Sequence, residues 1–533
     1  MSTFKLNGKE IPFEPGDTVI RAAWRQGIEI PHYCWHPGLS VAANCRMCLV
    51  EIQSGRQVRM PILRWDEEKQ DYVQDTKAKL QPACQFPAAE GLEVSSISDD
   101  VREAQAHVQE FLLLHHPVDC PICDQAGECK LQDYYYAHQN TFKRKRTEPV
   151  HKPKGVRFGE TIVYDAERCI MCTRCIRVCD ELVGDHVLDM RERSNKNEIV
   201  LAPGRELDHK YTLMTEHVCP VGALTSRDFR FVARVWFLKS QPSVCPGCAT
   251  GCNMHADYDP RYNRVFRLRP RDNLDVNRFW MCDDGMMTYK RIHEGRVITG
   301  LLGRGEAQDV VPPEDAVEEA AAKLKDVDPA KIGFVLSAQH ATEDNFVLAK
   351  LAGALGSDKL FMAALEGWEG DDILRDADNN PNRRGAETAA GGTLDRSLAD
   401  LLDDVRSGAV QAVVALGWAA AQTAEELAPI AELSTVVSLT SNEGPLPAVA
   451  SIVVPVASWA EMHGHFINRQ GKSQRFRRVI AAPTDVEPAW KTAAILGEKL
   501  GTPLAYAKIQ DVWKELFPES PGEGERSGAE ARA

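Results

Sequence analysis

Cysteine is the residue of this chain with the clearest chemical signature. Sixteen cysteines lie between Cys34 and Cys282, and residues 283–533 contain none. The opening residues, MSTFKLNGKE, match no signal or transit peptide, so we expect a cytosolic protein. Thiols stay reduced in that compartment, so dense cysteines indicate metal binding rather than disulfides.

The first cysteine group is spaced C-x10-C-x2-C-x35-C. Its members are Cys34, Cys45, Cys48 and Cys84. A two-iron cluster needs two thiolates on each iron, and a loop with three ligands plus one distant ligand is similar to the plant-type pattern, apart from a longer first gap. The spacing predicts a 2Fe-2S site. Structural zinc is the alternative, since zinc also accepts four thiolates.

The second group has three cysteines and is one ligand short of four. Its members are Cys120, Cys123 and Cys129. His116 lies four positions before Cys120 and can supply the missing ligand, with the adjacent His115 as a competitor. An imidazole in place of a thiolate makes the site less negative, which should raise its reduction potential.

The third group contains a C-x2-C-x2-C run, which can hold three corners of a 4Fe-4S cubane. The run consists of Cys169, Cys172 and Cys175. The fourth ligand is either Cys179 or Cys219, and the Pro-Val-Gly turn that follows Cys219 favours the latter. Cys179 is then the one unassigned thiol.

The fourth group is spaced C-x2-C-x3-C-x29-C. Its members are Cys245, Cys248, Cys252 and Cys282. Gly247 and Gly251 allow close backbone folding, so that amide groups can point at sulfur. The pattern indicates a third 4Fe-4S cluster, with zinc again as the alternative.

Local patterns indicate the elements that position these groups. Alternating apolar residues surround Asn7-Gly8, which predicts a β-hairpin; a helix over 18–26 and a strand over 48–53 complete a compact β-grasp module. Helical spacing over 99–115 ends at Pro117.

From residue 315 onward, helices and strands alternate, which predicts an α/β domain with a parallel sheet. The expected helices are 315–325, 343–355, 398–405 and 423–433, and the expected strands are 332–336, 359–362, 410–416 and 435–439. We find no P-loop and no dinucleotide-binding glycine motif after a strand. The tail after Phe517 should be disordered, and the basic run Lys143–Arg146 is expected to link or dock modules.

Length, net charge and hydropathy limit which classes of protein the chain can belong to. The 533 residues predict several domains, and the net charge of −14 argues against nucleic-acid binding. No apolar run approaches the ~18 residues of a membrane span.

The four groups, in this order, resemble the G-type (75-kDa) iron–sulfur subunit of NADH-quinone oxidoreductase, respiratory complex I. The segment EMHGHFINRQGKSQRF at 461–476 adds to a resemblance that extends to about residue 510. It implies an α+β N-terminal part with a β-grasp 2Fe-2S domain (1–97) and a domain with two 4Fe-4S clusters (98–238). A 4Fe-4S module (239–295), an inactive α/β molybdopterin-oxidoreductase-like domain without molybdopterin (296–515) and a tail (516–533) follow.

The resemblance also implies ligands, path and partners. It places His116 and Cys219 in their ligand sets, and it makes group four the additional cluster of certain bacterial members. Electrons would come from an FMN- and NADH-binding subunit with its 2Fe-2S companion. They would leave through a two-cluster 4Fe-4S subunit toward quinone, at the cytoplasmic face of the bacterial inner membrane. The chain itself would hold no NADH or quinone site.

Three other functions remain as alternatives. A molybdenum or tungsten formate dehydrogenase carries similar clusters, but no cysteine beyond Cys282 is present to bind the metal. The others are an electron-transfer subunit of an NAD-linked hydrogenase and a zinc scaffold without redox activity.

Overall fold

The computed structural model describes residues 2–54, 57–138, 148–305 and 308–518. The chain divides into two compact units, Met1–Trp236 and Phe237–Glu525. The basic run Lys143–Arg146 and residues 519–533 of the expected disordered tail lie outside the described residues.

The first unit begins with a five-stranded sheet in the order β2-β1-β7-β3-β6. Its elements, with the separate hairpin β4-β5, are β1 Thr3–Leu6, β2 Lys9–Pro12, α1 Val19–Arg25, β3 Leu49–Ser54, β4 Arg59–Asp66, β5 Asp71–Ala78, β6 Gln81–Pro82 and β7 Glu93–Ser95. Asn7 and Gly8 both have positive φ, as a type I′ turn requires, so the predicted hairpin is confirmed. Alternate residues of β1 and β3 pack against α1 to form a buried core.

Short elements joined by long loops make up the rest of this unit. They are α2 Asp99–Leu113, α3 Lys130–His138, β8 Val156–Phe158, β9 Ile162–Tyr164, α4 Arg174–Arg177, β10 Leu188–Arg191, β11 Glu198–Leu201, α5 Leu213–His217 and β12 Leu224–Ser226. The predicted helix before Pro117 is present as α2. The second and third cysteine groups lie mainly in the loops between these elements.

The second unit starts with an antiparallel sheet and a short helix that carry the fourth cysteine group. These elements are β13 Lys239–Val244, β14 Asn253–Asp259, β15 Arg264–Pro270 and α6 Asp283–Met286. Cys245–Cys252 forms the connection between β13 and β14, and Cys282 immediately precedes α6.

A seven-stranded sheet in the order β17-β16-β22-β21-β20-β18-β19 dominates the second unit. The elements that follow α6 are β16 Gly300–Leu302, β17 Asp309–Val311, α7 Pro313–Lys325, β18 Ile332–Ser337, α8 Thr342–Leu355, β19 Leu360–Ala363, α9 Arg383–Ala389, α10 Leu398–Arg406, β20 Ala412–Leu416, α11 Ala428–Ala431, β21 Thr435–Thr440, α12 Pro445–Val449, β22 Ile452–Pro455, β23 Gly464–Ile467, β24 Ser473–Phe476, α13 Ala489–Lys499 and α14 Ile509–Leu516. Five neighbouring strands of this sheet, in the order β22-β21-β20-β18-β19, pair in parallel, which confirms the α/β prediction.

Both faces of this sheet are covered. Ala412, Val414 and Leu416 belong to one buried core with α7, α8 and α13, whereas Val413 and Ala415 belong to another with α10 and α12. Most predicted bounds agree with the structure within two residues. The helix expected over 423–433 is wrong, because only Ala428–Ala431 is helical; Pro429 has no amide hydrogen and fits only the first turn of a helix.

A fully buried carboxylate joins three elements of the second unit. Glu343 of α8 accepts hydrogen bonds from the His465 amide (2.9 Å), from His465 Nδ1 (2.5 Å) and from Trp513 Nε1 (2.6 Å). Its side chain thereby fixes β23 and α14 against α8. No helix of the described ranges is long and apolar enough to cross a membrane.

We expect Glu343→Ala to lower the free energy of unfolding of this unit by about 3–5 kcal/mol, because it leaves buried donors without an acceptor. Chemical denaturation followed by tryptophan fluorescence measures the change. The matched control is Glu319→Ala on α7, where an exposed ion pair with Lys323 (3.6 Å) contributes no more than about 0.5 kcal/mol. Equal losses in the two variants would contradict the structural role of Glu343.

Candidate metal sites

The first cysteine group forms two pairs, and we call its location site one. The Cys34 thiol hydrogen-bonds Cys45, and the Cys48 thiol hydrogen-bonds Cys84; these bonds lower the pKa of Cys45 to about 5 and also lower that of Cys84. Strand β6 pairs with β3, and the Ala83 amide donates to the Cys48 carbonyl (2.8 Å). The sheet therefore brings Cys84 back to Cys48 despite the long gap. Two thiols on each side match the two ligands per iron of a 2Fe-2S cluster.

Site two contains Cys120, Cys123 and Cys129 in a loop that begins with a single 3-10 turn at Cys120–Ile122. The pKa of Cys129 is raised to about 11, mainly by burial and to a smaller extent by the Cys123 and Cys120 thiols. The three thiols are therefore close enough to interact electrostatically.

His116 has the features of a neutral ligand to this site. Burial lowers its pKa to about 4, the Arg168 charge contributes in the same direction, and Nδ1 is buried with no hydrogen-bond partner among the residues that the structure describes. The Arg168 charge also favours a low pKa of the Cys123 thiol and so opposes the effect of burial, which raises that pKa. The neighbouring His115 instead accepts a hydrogen bond from the Val150 amide through Nδ1 (3.1 Å). This difference favours His116 over its competitor.

Site three is a cavity bordered by four thiols. The cysteines that line it are Cys169, Cys172, Cys175 and Cys219. Met171 and Thr173 both have positive φ, which closes the loop tightly, and the Met171 amide lies 3.4 Å from Cys169 Sγ. Burial raises the pKa of Cys169 to about 11. The arrangement provides one thiol for each corner of a cubane.

Cys179 does not line that cavity. It lies in the single π-helical turn Val178–Val183, and its Sγ is 3.5 Å from His209 Nε2. Burial raises its pKa to about 12, and Asp180 and Asp185 contribute to the rise. The placement favours Cys219 as the fourth ligand.

The turn after Cys219 also reaches site two. A Cβ added at Gly222 would lie 2.3 Å from Cys123 Sγ, so only glycine fits there. The Lys130 amide donates to the Pro220 carbonyl (3.1 Å), which holds the same turn against the second cysteine loop. One short turn therefore supports two sites.

We expect Gly222→Ala to abolish the paramagnetic signal of site two while leaving that of site one intact, because the new Cβ would lie only 2.3 Å from the Cys123 sulfur and displace it. Electron paramagnetic resonance (EPR) of the reduced protein measures this. The control is Gly353→Ala, where an added Cβ meets nothing within 4 Å. A normal site-two signal in Gly222→Ala would contradict the packing.

Site four is a second cavity bordered by four buried thiols. Its cysteines are Cys245, Cys248, Cys252 and Cys282. The Cys282 sulfur accepts a hydrogen bond from the Gly285 amide (3.3 Å), and the Gly247 amide bonds the Cys245 sulfur. Gly251 has a positive φ that shapes the turn, and its amide donates to the Cys248 carbonyl (3.2 Å).

The donor sets fit iron–sulfur clusters. Two sites are cavities lined by four thiols, one site has thiols in two pairs, and one has a buried histidine nitrogen without a partner. In the described part of the chain, no three His, Cys, Asp or Glu side chains converge closely enough to hold a single metal ion. The sequence indicated the Pro-Val-Gly turn but not the contact of Gly222 with Cys123, and it did not indicate Gly285, because a glycine gives no signal of what lies beside it.

A further small cavity lies at the carboxyl ends of β18, β20, β21 and β22. His340, Trp418, Asn442 and Ser458 line it, each just beyond one of these strands. Parallel sheets bind ligands at this edge, but the volume is only about 50 Å³, well below the ~300–1,000 Å³ of typical ligand pockets.

Four family models match successive parts of the chain. The 2Fe-2S iron-sulfur cluster binding domain matches residues 1–99, and the NADH-ubiquinone oxidoreductase-G iron-sulfur binding region matches 105–144. The ferredoxin-like domain of NADH-quinone oxidoreductase subunit 3 matches 159–225, and the molybdopterin oxidoreductase Fe4S4 domain matches 238–294. The chain therefore contains 2Fe-2S and 4Fe-4S binding domains.

Curated proteins that are similar to this chain are named as subunits of NADH-quinone oxidoreductase. The G-type subunit of NADH-quinone oxidoreductase from Rickettsia felis is 32% identical over 358 residues, which are 67% of this chain and 50% of the relative. Subunit 3 of the Thermus thermophilus enzyme is 32% identical over 376 residues, 68% of this chain and 47% of the relative. The protein is a relative of the G-type subunit of NADH-quinone oxidoreductase. It spans about half the length of these two curated proteins.

Two solved structures are similar to parts of this chain, each with a TM-score of 0.37. An NAD+-reducing [NiFe]-hydrogenase in the H2-reduced state is 28% identical and covers 44% of this chain and 91% of its own. Acetylene hydratase from Pelobacter acetylenicus is 10% identical and covers 52% and 70%. Overlaps this weak carry no argument about function.

Proposed function

We propose that the chain is an electron-transfer subunit in the peripheral arm of NADH-quinone oxidoreductase. The observation that carries this proposal is that sites one, three and two belong to one compact unit and have contacting loops. Bound iron–sulfur clusters supply reversible one-electron chemistry. The chain contributes the thiol and imidazole ligands, amide groups directed at sulfur, and burial.

The contacts between loops support a path in the order site one, site three, site two. Asn44, beside Cys45 of site one, donates to the Met171 carbonyl in the loop of site three (3.2 Å). Gly222, beyond Cys219 of site three, packs on Cys123 of site two. Electrons would enter from an FMN-bearing partner and leave beside His116 toward a 4Fe-4S subunit and quinone.

The proposed ligand sets follow the same geometry. They are Cys34, Cys45, Cys48 and Cys84 for one 2Fe-2S cluster, and His116, Cys120, Cys123 and Cys129; Cys169, Cys172, Cys175 and Cys219; and Cys245, Cys248, Cys252 and Cys282 for three 4Fe-4S clusters. Site four lies in the other unit and serves a structural role outside the path. The domain bounds at residues 97, 238, 295 and 515 are part of the proposal.

The sheet of the second unit acts as a scaffold in this proposal. The cavity at the carboxyl ends of its parallel strands measures about 50 Å³, which is too small for a pterin cofactor at that edge and supports an inactive domain without molybdopterin. The chain would bind the FMN and NADH subunit, its 2Fe-2S companion and the two-cluster subunit. The assembly would attach to the cytoplasmic face of the inner membrane through other subunits.

Isolation of the tagged full chain from its native host tests this function. We expect it to co-purify with flavin and with an assembly that oxidises NADH with a quinone, and loss of the chain should abolish that activity in membranes. Purification with stoichiometric molybdenum or tungsten and formate oxidation would instead support the formate dehydrogenase alternative. Co-purification with hydrogen-dependent reduction of NAD would support the hydrogenase alternative.

A further inference from the structure

Helix α4 carries two buried arginines. Arg174 lies within the third cysteine run, and Arg177 lies two residues after its last cysteine. Arg174 and Arg177 are each only 8% exposed. In the described part of the chain, neither forms an ion pair with a carboxylate, and their hydrogen bonds go to carbonyl and hydroxyl oxygens. These are buried cations without a carboxylate partner.

Arg177 connects two metal sites through a single nitrogen. Its Nη2 donates to the Cys34 carbonyl (2.5 Å) in site one and to the Cys172 carbonyl (3.3 Å) in site three. Its Nη1 donates to the Ser40 carbonyl (2.5 Å) in the loop of site one. The guanidinium therefore fastens the backbone of one cysteine loop to that of the other.

Arg174 makes a second connection of the same kind. It donates through Nη2 to the carbonyl of Trp35, which follows Cys34, and through Nη1 to the carbonyl of Val218 (3.2 Å), which precedes Cys219. Its Nε is buried, with no hydrogen-bond partner among the described residues. The guanidinium therefore joins the backbone next to Cys34 of site one to the backbone next to Cys219 of site three.

The energetic cost of these cations points to their role. A buried charge costs several kcal/mol unless an opposite charge lies nearby, and arginine does not lose its proton in proteins. Because no carboxylate pairs with them in the described residues, the carbonyl oxygens that accept their hydrogen bonds and the negative charge of cluster-bound thiolates would compensate these cations. The favourable interaction grows when an electron adds further negative charge to either site.

We infer that Arg174 and Arg177 form a cationic clamp between sites one and three, which fixes the two cysteine loops against each other and raises the reduction potential of both sites. This inference rests on the proposed function, because it takes clusters to be bound at both sites. The two arginines are positioning residues, since they act through the cysteine loops. A fixed separation matters because electron transfer slows steeply with distance.

The test uses anaerobically purified full-length chain with all of its clusters. Arg177→Met and Arg174→Met remove the charge but keep an unbranched side chain that reaches as far as the position of Nε, whereas Arg177→Lys and Arg174→Lys keep the charge but lose the planar fork. The control is Arg205→Met, which removes an exposed arginine of the same unit that pairs with Asp185 (2.9 Å). Potentiometric titration monitored by EPR gives the potential of each site, and pulsed EPR gives their magnetic interaction.

We expect the methionine variants to favour the oxidised state of both sites by about tenfold, which is ~59 mV for a one-electron couple. The lysine variants should restore most of that shift but show a weaker or more variable interaction between the two signals. Should a methionine variant not fold, the lysine variant at the same position still tests the clamp through that interaction.

Potentials and inter-site interaction equal to those of wild type in all four variants would overturn the clamp, as would a shift confined to one site. Both results leave the proposed function intact. Wild-type chain without 2Fe-2S and 4Fe-4S signals would overturn the proposed function itself, before any variant is compared.

Discussion

Cys219→Ala should remove the cluster of site three, whereas Cys179→Ala should leave all sites occupied. Cys219 lines the cavity with Cys169, Cys172 and Cys175, and its loss removes one corner ligand of a cubane. The Cys179 sulfur lies 3.5 Å from His209 Nε2 and does not line that cavity. Each substitution replaces one cysteine by alanine and so makes the same chemical change, which makes the two variants a matched pair.

Iron and acid-labile sulfide contents, together with EPR, measure the difference. Cys219→Ala should contain about four fewer iron atoms per chain and lack the site-three signal. Cys179→Ala should match wild type in both measurements. A site-three signal that survives in Cys219→Ala but disappears in Cys179→Ala would reverse the assignment of the fourth ligand.

His116→Cys should preserve the cluster of site two but lower its reduction potential. Thiolate in place of neutral imidazole adds one negative charge to the site, which disfavours further reduction. A histidine that binds iron does so as a neutral imidazole, so the charge difference is present throughout the neutral pH range. The expected shift is toward more negative potential.

EPR-monitored redox titration of site two measures this shift. His115→Cys is the matched control, because His115 Nδ1 accepts a hydrogen bond from the Val150 amide and we place His115 outside the ligand set. That variant should keep the wild-type potential. An unchanged potential in His116→Cys, or a shift only in His115→Cys, would contradict ligation by His116.

Local sequence signals predicted much of the fold. The Asn7-Gly8 hairpin depends on a turn whose two residues adopt positive φ, and the buried strands β18, β20 and β21 are short segments rich in apolar and β-branched residues. The antiparallel strands β16 and β17 were not predicted, because each has only three residues and gains its structure from pairing with neighbours. The hairpin β4-β5 was not predicted either.

At the metal sites too, the local sequence predicted the cysteine runs but not the contacts between distant parts of the chain. Spacing identified the cysteine runs, but it did not choose between Cys179 and Cys219, because that choice depends on how a loop returns to the cavity. The run Cys-Thr-Arg-Cys-Ile-Arg contains Arg174 and Arg177, yet nothing in it indicates that both are buried or that they contact the loop of Cys34. Such contacts depend on tertiary packing.

Metal and sulfide analysis of the anaerobically purified full chain, combined with EPR, tests most directly whether it is a carrier of four iron–sulfur clusters. We predict about 14 iron atoms per chain, a similar amount of acid-labile sulfide, and signals of one 2Fe-2S and several 4Fe-4S centres on reduction. About four zinc atoms per chain, with no labile sulfide and no such signals, would contradict it.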